Sequence, residues 1–114
     1  MKIPEQGQLV RIYIGESDTW EDKPLYEAII LKARENGIAG ATMLRGLMGY
    51  GAASRIHTAK ILRLSEDLPV VVEIVDSEEK IAAFLPAIQA MVGDGLVTLE
   101  KVRVLQYRGG SGPG

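Results

Sequence analysis

Asn36-Gly37-Ile38-Ala39-Gly40-Ala41-Thr42-Met43-Leu44-Arg45-Gly46-Leu47-Met48-Gly49-Tyr50-Gly51 is the stretch on which the reading of this chain turns. Residues 36–65 contain five of the thirteen glycines: Gly37, Gly40, Gly46, Gly49 and Gly51. They contain no Asp or Glu, yet carry Arg45, Arg55, Lys60 and Arg63. The remainder of the chain therefore holds nine basic and fifteen acidic side chains, a balance of −6. A basic, glycine-rich segment without carboxylates suits an anion, because backbone N–H groups and cations meet there without competing negative charge. The plain alternative is a glycine-rich strand and loop whose charges are merely solvated.

Upstream, residues 8–14 are β-branched and aromatic with partial alternation, and Gly15 ends them, which predicts a strand. Residues 16–23 are polar and read as a loop, with Trp20 as a lid on the core. A first helix is expected from near Asp22, with Pro24 in its first turn. Leu25, Ala28, Ile29 and Ala33 form its apolar face, and Gly37 supplies a left-handed C-terminal turn. Residues 41–47 then read as a second strand.

Downstream, residues 49–67 form a long connection, and such lengths between strands are seldom idle. Residues 70–75 are apolar except for Glu73 and suit a central strand covered on both faces. Asp76 and Glu79 have capping-box spacing for a second helix. Its stripe is Ile81, Phe84, Leu85, Ile88, Met91 and Val92, and Pro86 is expected to kink it or remove one hydrogen bond. Gly93-Asp94-Gly95 stops the helix, and residues 96–105 read as the last strand. The domain is placed at residues 1–108, with a flexible tail over 109–114.

The order β-α-β-β-α-β predicts a ferredoxin-like α+β sandwich, an antiparallel sheet with two helices on one face. Apolar residues occur at both parities in 10–14 and 70–75. One set faces the helices; the other would be exposed in a monomer, so a subunit interface is expected to cover it.

The 114 residues suffice for one domain with its own core. There is no cysteine, which excludes thiol chemistry. No apolar run approaches the length of a membrane span, so no membrane insertion is expected. Met1-Lys2-Ile3-Pro4-Glu5 lacks a secretory h-region, which makes the cytoplasm the default location. The net charge of −2 argues against a general nucleic-acid binder.

No catalytic constellation is visible, and no enzyme is expected. His57 is the single histidine, so two-histidine metal motifs are excluded, and no nucleophile elbow accompanies it. Glu78 and Glu79 fall where a helix N-terminus favours negative charge. Gly46-Leu47-Met48-Gly49-Tyr50-Gly51 lacks the Gly-Lys-Ser/Thr of a Walker loop and the strand–helix context of a dinucleotide fingerprint.

Taken together, Gly37 to Thr42, Gly49-Tyr50-Gly51, Leu68-Pro69 before a valine-rich strand, and Gly93-Asp94-Gly95 resemble the nitrogen-regulatory PII pattern over residues 8–110. The run Gly-Ala-Thr-x-Leu-Arg-Gly-x-x-Gly-x-Gly, from Gly40 to Gly51, resembles the hallmark of the PII-like branch known as domain of unknown function 190. The resemblance implies a homotrimer with adenine nucleotide bound in clefts between subunits, and a long loop that touches partners. By the same resemblance Gly49 and Gly51 match the loop base, Gly93, Asp94 and Gly95 match the ligand-contacting turn, and Arg108 matches a C-terminal arginine. Three departures stand out. Leu96 occupies the position of the turn's lysine, the glutamine after Gly51 is replaced by Ala52-Ala53-Ser54, and residues 52–67 lack a tyrosine for uridylylation.

Two functional readings remain at this point. One is a trimeric regulatory protein holding a small anionic ligand, such as an adenine nucleotide, at Gly46, Gly49, Tyr50, Gly51, Gly93, Asp94 and Gly95, with Arg55, Lys60 or Arg108 supplying charge. The other is a ligand-free module whose residues 52–67 dock on a partner protein such as a membrane transporter.

Overall fold

In the computed structural model of the chain, residues 5–50 and 68–109 are described. Four long strands form one antiparallel sheet: β1 (Gln6–Gly15), β4 (Gly40–Arg45), β5 (Pro69–Ser77) and β6 (Leu96–Arg103). Their order is β4-β5-β1-β6. The two helices, α1 (Leu25–Glu35) and α2 (Glu78–Met91), lie on one face. This is the ferredoxin-like α+β sandwich, with a small hairpin, β2 (Thr19–Trp20) and β3 (Lys23–Pro24), inserted before α1.

Period two in the strands and period 3.6 in the helices build the core. Val10, Ile12 and Ile14 of β1 and Val70, Val72 and Ile74 of β5 are buried beneath the helices. Leu25, Ala28, Ile29 and Ala33 of α1 meet them, as do Ile81, Phe84, Ile88 and Met91 of α2. Trp20 packs on the edge of this cluster, as its expected role as a lid requires. Gly37 ends α1 with φ of 69°, and Lys80 Nζ donates to its carbonyl at 2.8 Å.

Local details differ from the sequence reading. Helix α1 begins at Leu25, not near Asp22, because Glu21 and Asp22 both have positive φ, 48° and 68°. They are the two central residues of the β2–β3 hairpin, a conformation no helix contains. Pro24 precedes the helix with an extended backbone instead of occupying its first turn. At α2 the cap is Ser77, whose Oγ accepts from Lys80 N at 3.2 Å, not Asp76. Strand pairing runs on to Gly7↔Ser77, and that keeps Asp76 inside β5, pointing into the protein.

Pro86 sits in α2 without ending it, and its side chain is exposed. Its ring nitrogen cannot donate to the Ala82 carbonyl one turn earlier. Pro86→Ala is therefore expected to raise stability by about 1–3 kcal/mol, because a donor returns and no packing is lost. Urea titration of the two proteins side by side measures the gain.

Among the described residues only one face of the sheet is covered. The register places Leu9, Arg11 and Tyr13 of β1 beside Val71, Glu73 and Val75 of β5 on the other face. Leu44 of β4 and Leu96 of β6 extend that face to both edges and are half exposed. Among the described residues the expected double cover of β5 is thus absent.

Candidate ligand site

The neck of the long connection is defined by backbone hydrogen bonds. Gly46 N donates to Pro69 O at 2.7 Å, and Glu16 N donates to Leu68 O at 2.8 Å. A Cβ on Gly46 would stand 3.0 Å from Pro69 Cγ, so the bare backbone lets the two arms close. Gly49 is nearly extended, and a Cβ there would make ordinary contact with Pro69. Leu47, Met48 and Tyr50 project outward, with Leu47 80% and Tyr50 70% exposed. Gly51, Arg55 and Lys60 lie outside the described residues, as does the whole of 52–67, the segment read as contacting a partner.

The turn Gly93-Asp94-Gly95 joins α2 to β6 at the same end of the sheet but on the opposite edge. Three strand spacings, about 14 Å, separate the edges. Gly93 and Asp94 are exposed. Gly95 is required by packing: a Cβ would lie 2.9 Å from Tyr13 O and 3.2 Å from Ile14 Cγ2.

Arg108 is at the other end of the sheet. After β6 the chain crosses below β1 and β5, and Tyr107 Oη donates to Ala39 O at 2.9 Å. Ala39 immediately precedes β4, whereas Gly46 immediately follows it. The six residues of β4, about 17 Å, lie between. One chain therefore does not bring the loop base, the Gly-Asp-Gly turn and Arg108 together.

Three features of this region escape sequence reasoning. Glu16 pairs with Arg45 across the start of β5, so the first cation of the carboxylate-free segment already has a counter-ion. Asp76, 3% exposed, accepts from Ala39 N at 2.8 Å and Ser77 N at 2.6 Å. On the open sheet face Arg11 Nε donates to Glu73 at 3.1 Å while its Nη1 contacts Glu100. The hydrogen bond to Glu73 and the charge of Glu100 hold the Arg11 pKa above its usual value, against a smaller loss of hydration. Apart from the bond to the neighbouring Ser77, each pairing joins residues far apart in sequence, and only the fold reveals it.

A groove of about 710 Å³ opens away from the neck, between the start of α2 and the end of β6. Gln8, Glu78, Lys101 and Arg103 line it, and none of the expected ligand residues does. Among the described residues no three His, Cys, Asp or Glu side chains cluster as a metal site would require. No described helix is long and apolar enough to cross a membrane.

The fold defines a class. It is similar to CPII of Thiomonas intermedia K12, solved with ADP, AMP and acetate, at a TM-score of 0.64 and 16% identity, covering 93% of this chain and 94% of that one. It is also similar to a putative PII-like signaling protein of Thermus thermophilus, at 0.59 and 18%, covering 91% and 93%. These are PII-like folds. Within that class the chain belongs to the family of domain of unknown function 190, described as an uncharacterized ACR, whose model matches residues 7–104. A UPF0166 protein of Aquifex aeolicus is 44% identical over 98 residues, 86% of this chain and 92% of its own length. A UPF0166 protein of Methanocaldococcus jannaschii is 34% identical over 105 residues, 91% and 94% of the two chains.

Proposed function

We propose that this protein is a non-enzymatic, cytoplasmic PII-like regulator that assembles as a homotrimer and binds an adenine nucleotide between subunits. The separation of the expected ligand residues carries the reading. Gly46, Gly49 and Tyr50 leave one sheet edge, Gly93, Asp94 and Gly95 leave the other, and Arg108 lies at the far end. A neighbouring copy in a cyclic assembly can set one edge against the other, which one chain cannot do. The uncovered apolar sheet face supplies area for that assembly. The nucleotides solved with CPII of T. intermedia support the choice of ligand. Residues 52–67 would then report occupancy to a partner by population shift.

The exposed Leu47, Met48 and Tyr50 beside the neck favour a second reading, a ligand-free module that docks on a protein such as a transporter. Calorimetric titration with ATP, ADP, AMP and cyclic AMP separates the two. Saturable binding of at least one of them is expected. Flat heats with all four at millimolar concentration would leave the docking reading, and a monomer in sedimentation equilibrium would remove the trimer.

A further inference from the structure

We infer that Arg45 is an anion-binding residue of the proposed nucleotide site and that Glu16 is its built-in competitor. A phosphate oxygen of the ligand takes the place that the Glu16 carboxylate holds in the free chain. The inference rests on the ligand reading above and adds two residues that the reading does not use.

Arg45 closes β4 and directly precedes Gly46 at the neck. It is the first cation of a segment, 36–65, from which carboxylates are absent. Its only partner among the described residues is Glu16, twenty-nine positions earlier, which touches Nη2. A guanidinium carries five N–H donors in a planar fork, so most of the fork is left for another acceptor. Arg45 is also the more accessible partner: its side chain is 54% exposed and that of Glu16 24%.

Glu16 is presented from a fixed turn. Its own N–H is held by Leu68 O, Gly15 N donates to Asp18 Oδ2 at 3.0 Å, and Leu25 N donates to Asp18 O at 2.8 Å. The carboxylate therefore stays in place while the long arginine side chain can turn away. Exposed ion pairs of this kind hold weakly. A phosphate offers the same fork two oxygens and more charge, so it wins the exchange. Occupancy by Glu16 lowers the apparent affinity by the fraction of chains in which Arg45 is engaged. An ion pair that only fastened the neck would have no such effect on anions.

The test is calorimetry on the full-length protein with two probes, ADP and inorganic pyrophosphate. Glu16→Gln is expected to tighten both by about two- to sixfold, the range that an ion pair worth up to about 1 kcal/mol can withhold. Glu16→Ser repeats the measurement without a side-chain amide able to hold the guanidinium. Arg45→Gln is expected to weaken both by about tenfold or more, the loss of one charge-assisted contact. The double variant should match Arg45→Gln alone. Glu27→Gln on α1 removes the same charge from an exposed site and should change nothing. Thermal unfolding of each variant confirms that it is folded.

Unchanged or weaker binding in both Glu16 variants overturns the inference, as does equal tightening by Glu27→Gln or unchanged binding in Arg45→Gln. If ADP gives no heat while pyrophosphate follows the expected pattern, the nucleotide reading falls and the exchange stands. If neither probe binds any variant, both fall.

Discussion

Arg11→Ala is expected to break the proposed trimer into monomers that remain folded. Arg11 lies at the centre of the open sheet face, opposite Glu73 in the β1–β5 register and diagonal to Glu100 on β6. Leu9, Tyr13, Val71 and Val75 surround it. One cation thus serves two carboxylates on an apolar surface. In a monomer water solvates all three groups, and losing the arginine is tolerable. Under a second copy that water is gone, and alanine leaves two unpaired carboxylates facing those of the neighbours. The dissociation constant should rise by about tenfold or more, the usual result of stranding a charge at an interface. Sedimentation equilibrium across a concentration series reads the change. Replacing Arg11, Glu73 and Glu100 together by apolar residues of similar size should restore assembly, because no charge then remains to be buried. An intact trimer in Arg11→Ala would put the interface on another face.

Asp76→Ala should cost about 2–6 kcal/mol of folding stability, two partly buried N–H groups losing their acceptor at about 1–3 kcal/mol each. The two donors, Ala39 N and Ser77 N, belong to different parts of the fold. One is the entry to β4 and the other the start of α2. Asp76→Asn keeps one carbonyl oxygen and should cost less. Urea unfolding followed by circular dichroism gives both values, and a loss below about 1 kcal/mol for alanine would mean that water replaces the carboxylate. Tyr107 Oη bonds the carbonyl of the same Ala39, so the C-terminal segment should loosen as well.

The helices and the central strands were legible because their apolar spacing is set by the same geometry that buries them. Ile81, Phe84, Ile88 and Met91 can share a face only on a helix. The β2–β3 hairpin was not legible: Glu-Asp is a poor signal for two positive φ values, where Asn-Gly would have announced them. The cap of α2 was misread as Asp76: pairing of Gly7 with Ser77 keeps Asp76 in the strand, and Ser77 one residue later accepts from Lys80 N instead. At the candidate site the glycines could be found, but not their reasons. Gly95 answers to the Tyr13 carbonyl and Gly46 to Pro69, each distant in sequence. Glu16 reads as one polar loop residue among several until the fold sets it against Arg45.

The bond from Gly46 to Pro69 has a consequence for engineering. β4 and β5 are adjacent antiparallel strands, so everything between them is an enlarged hairpin returning to its own starting point. The entropy of closing such a ring grows slowly with its length, each doubling costing only about 0.6 kcal/mol. The sheet is therefore a socket whose closure tolerates inserts of different lengths. Gly46 and Pro69 are thus the two residues at which a designer can graft a connection of another length onto the same core.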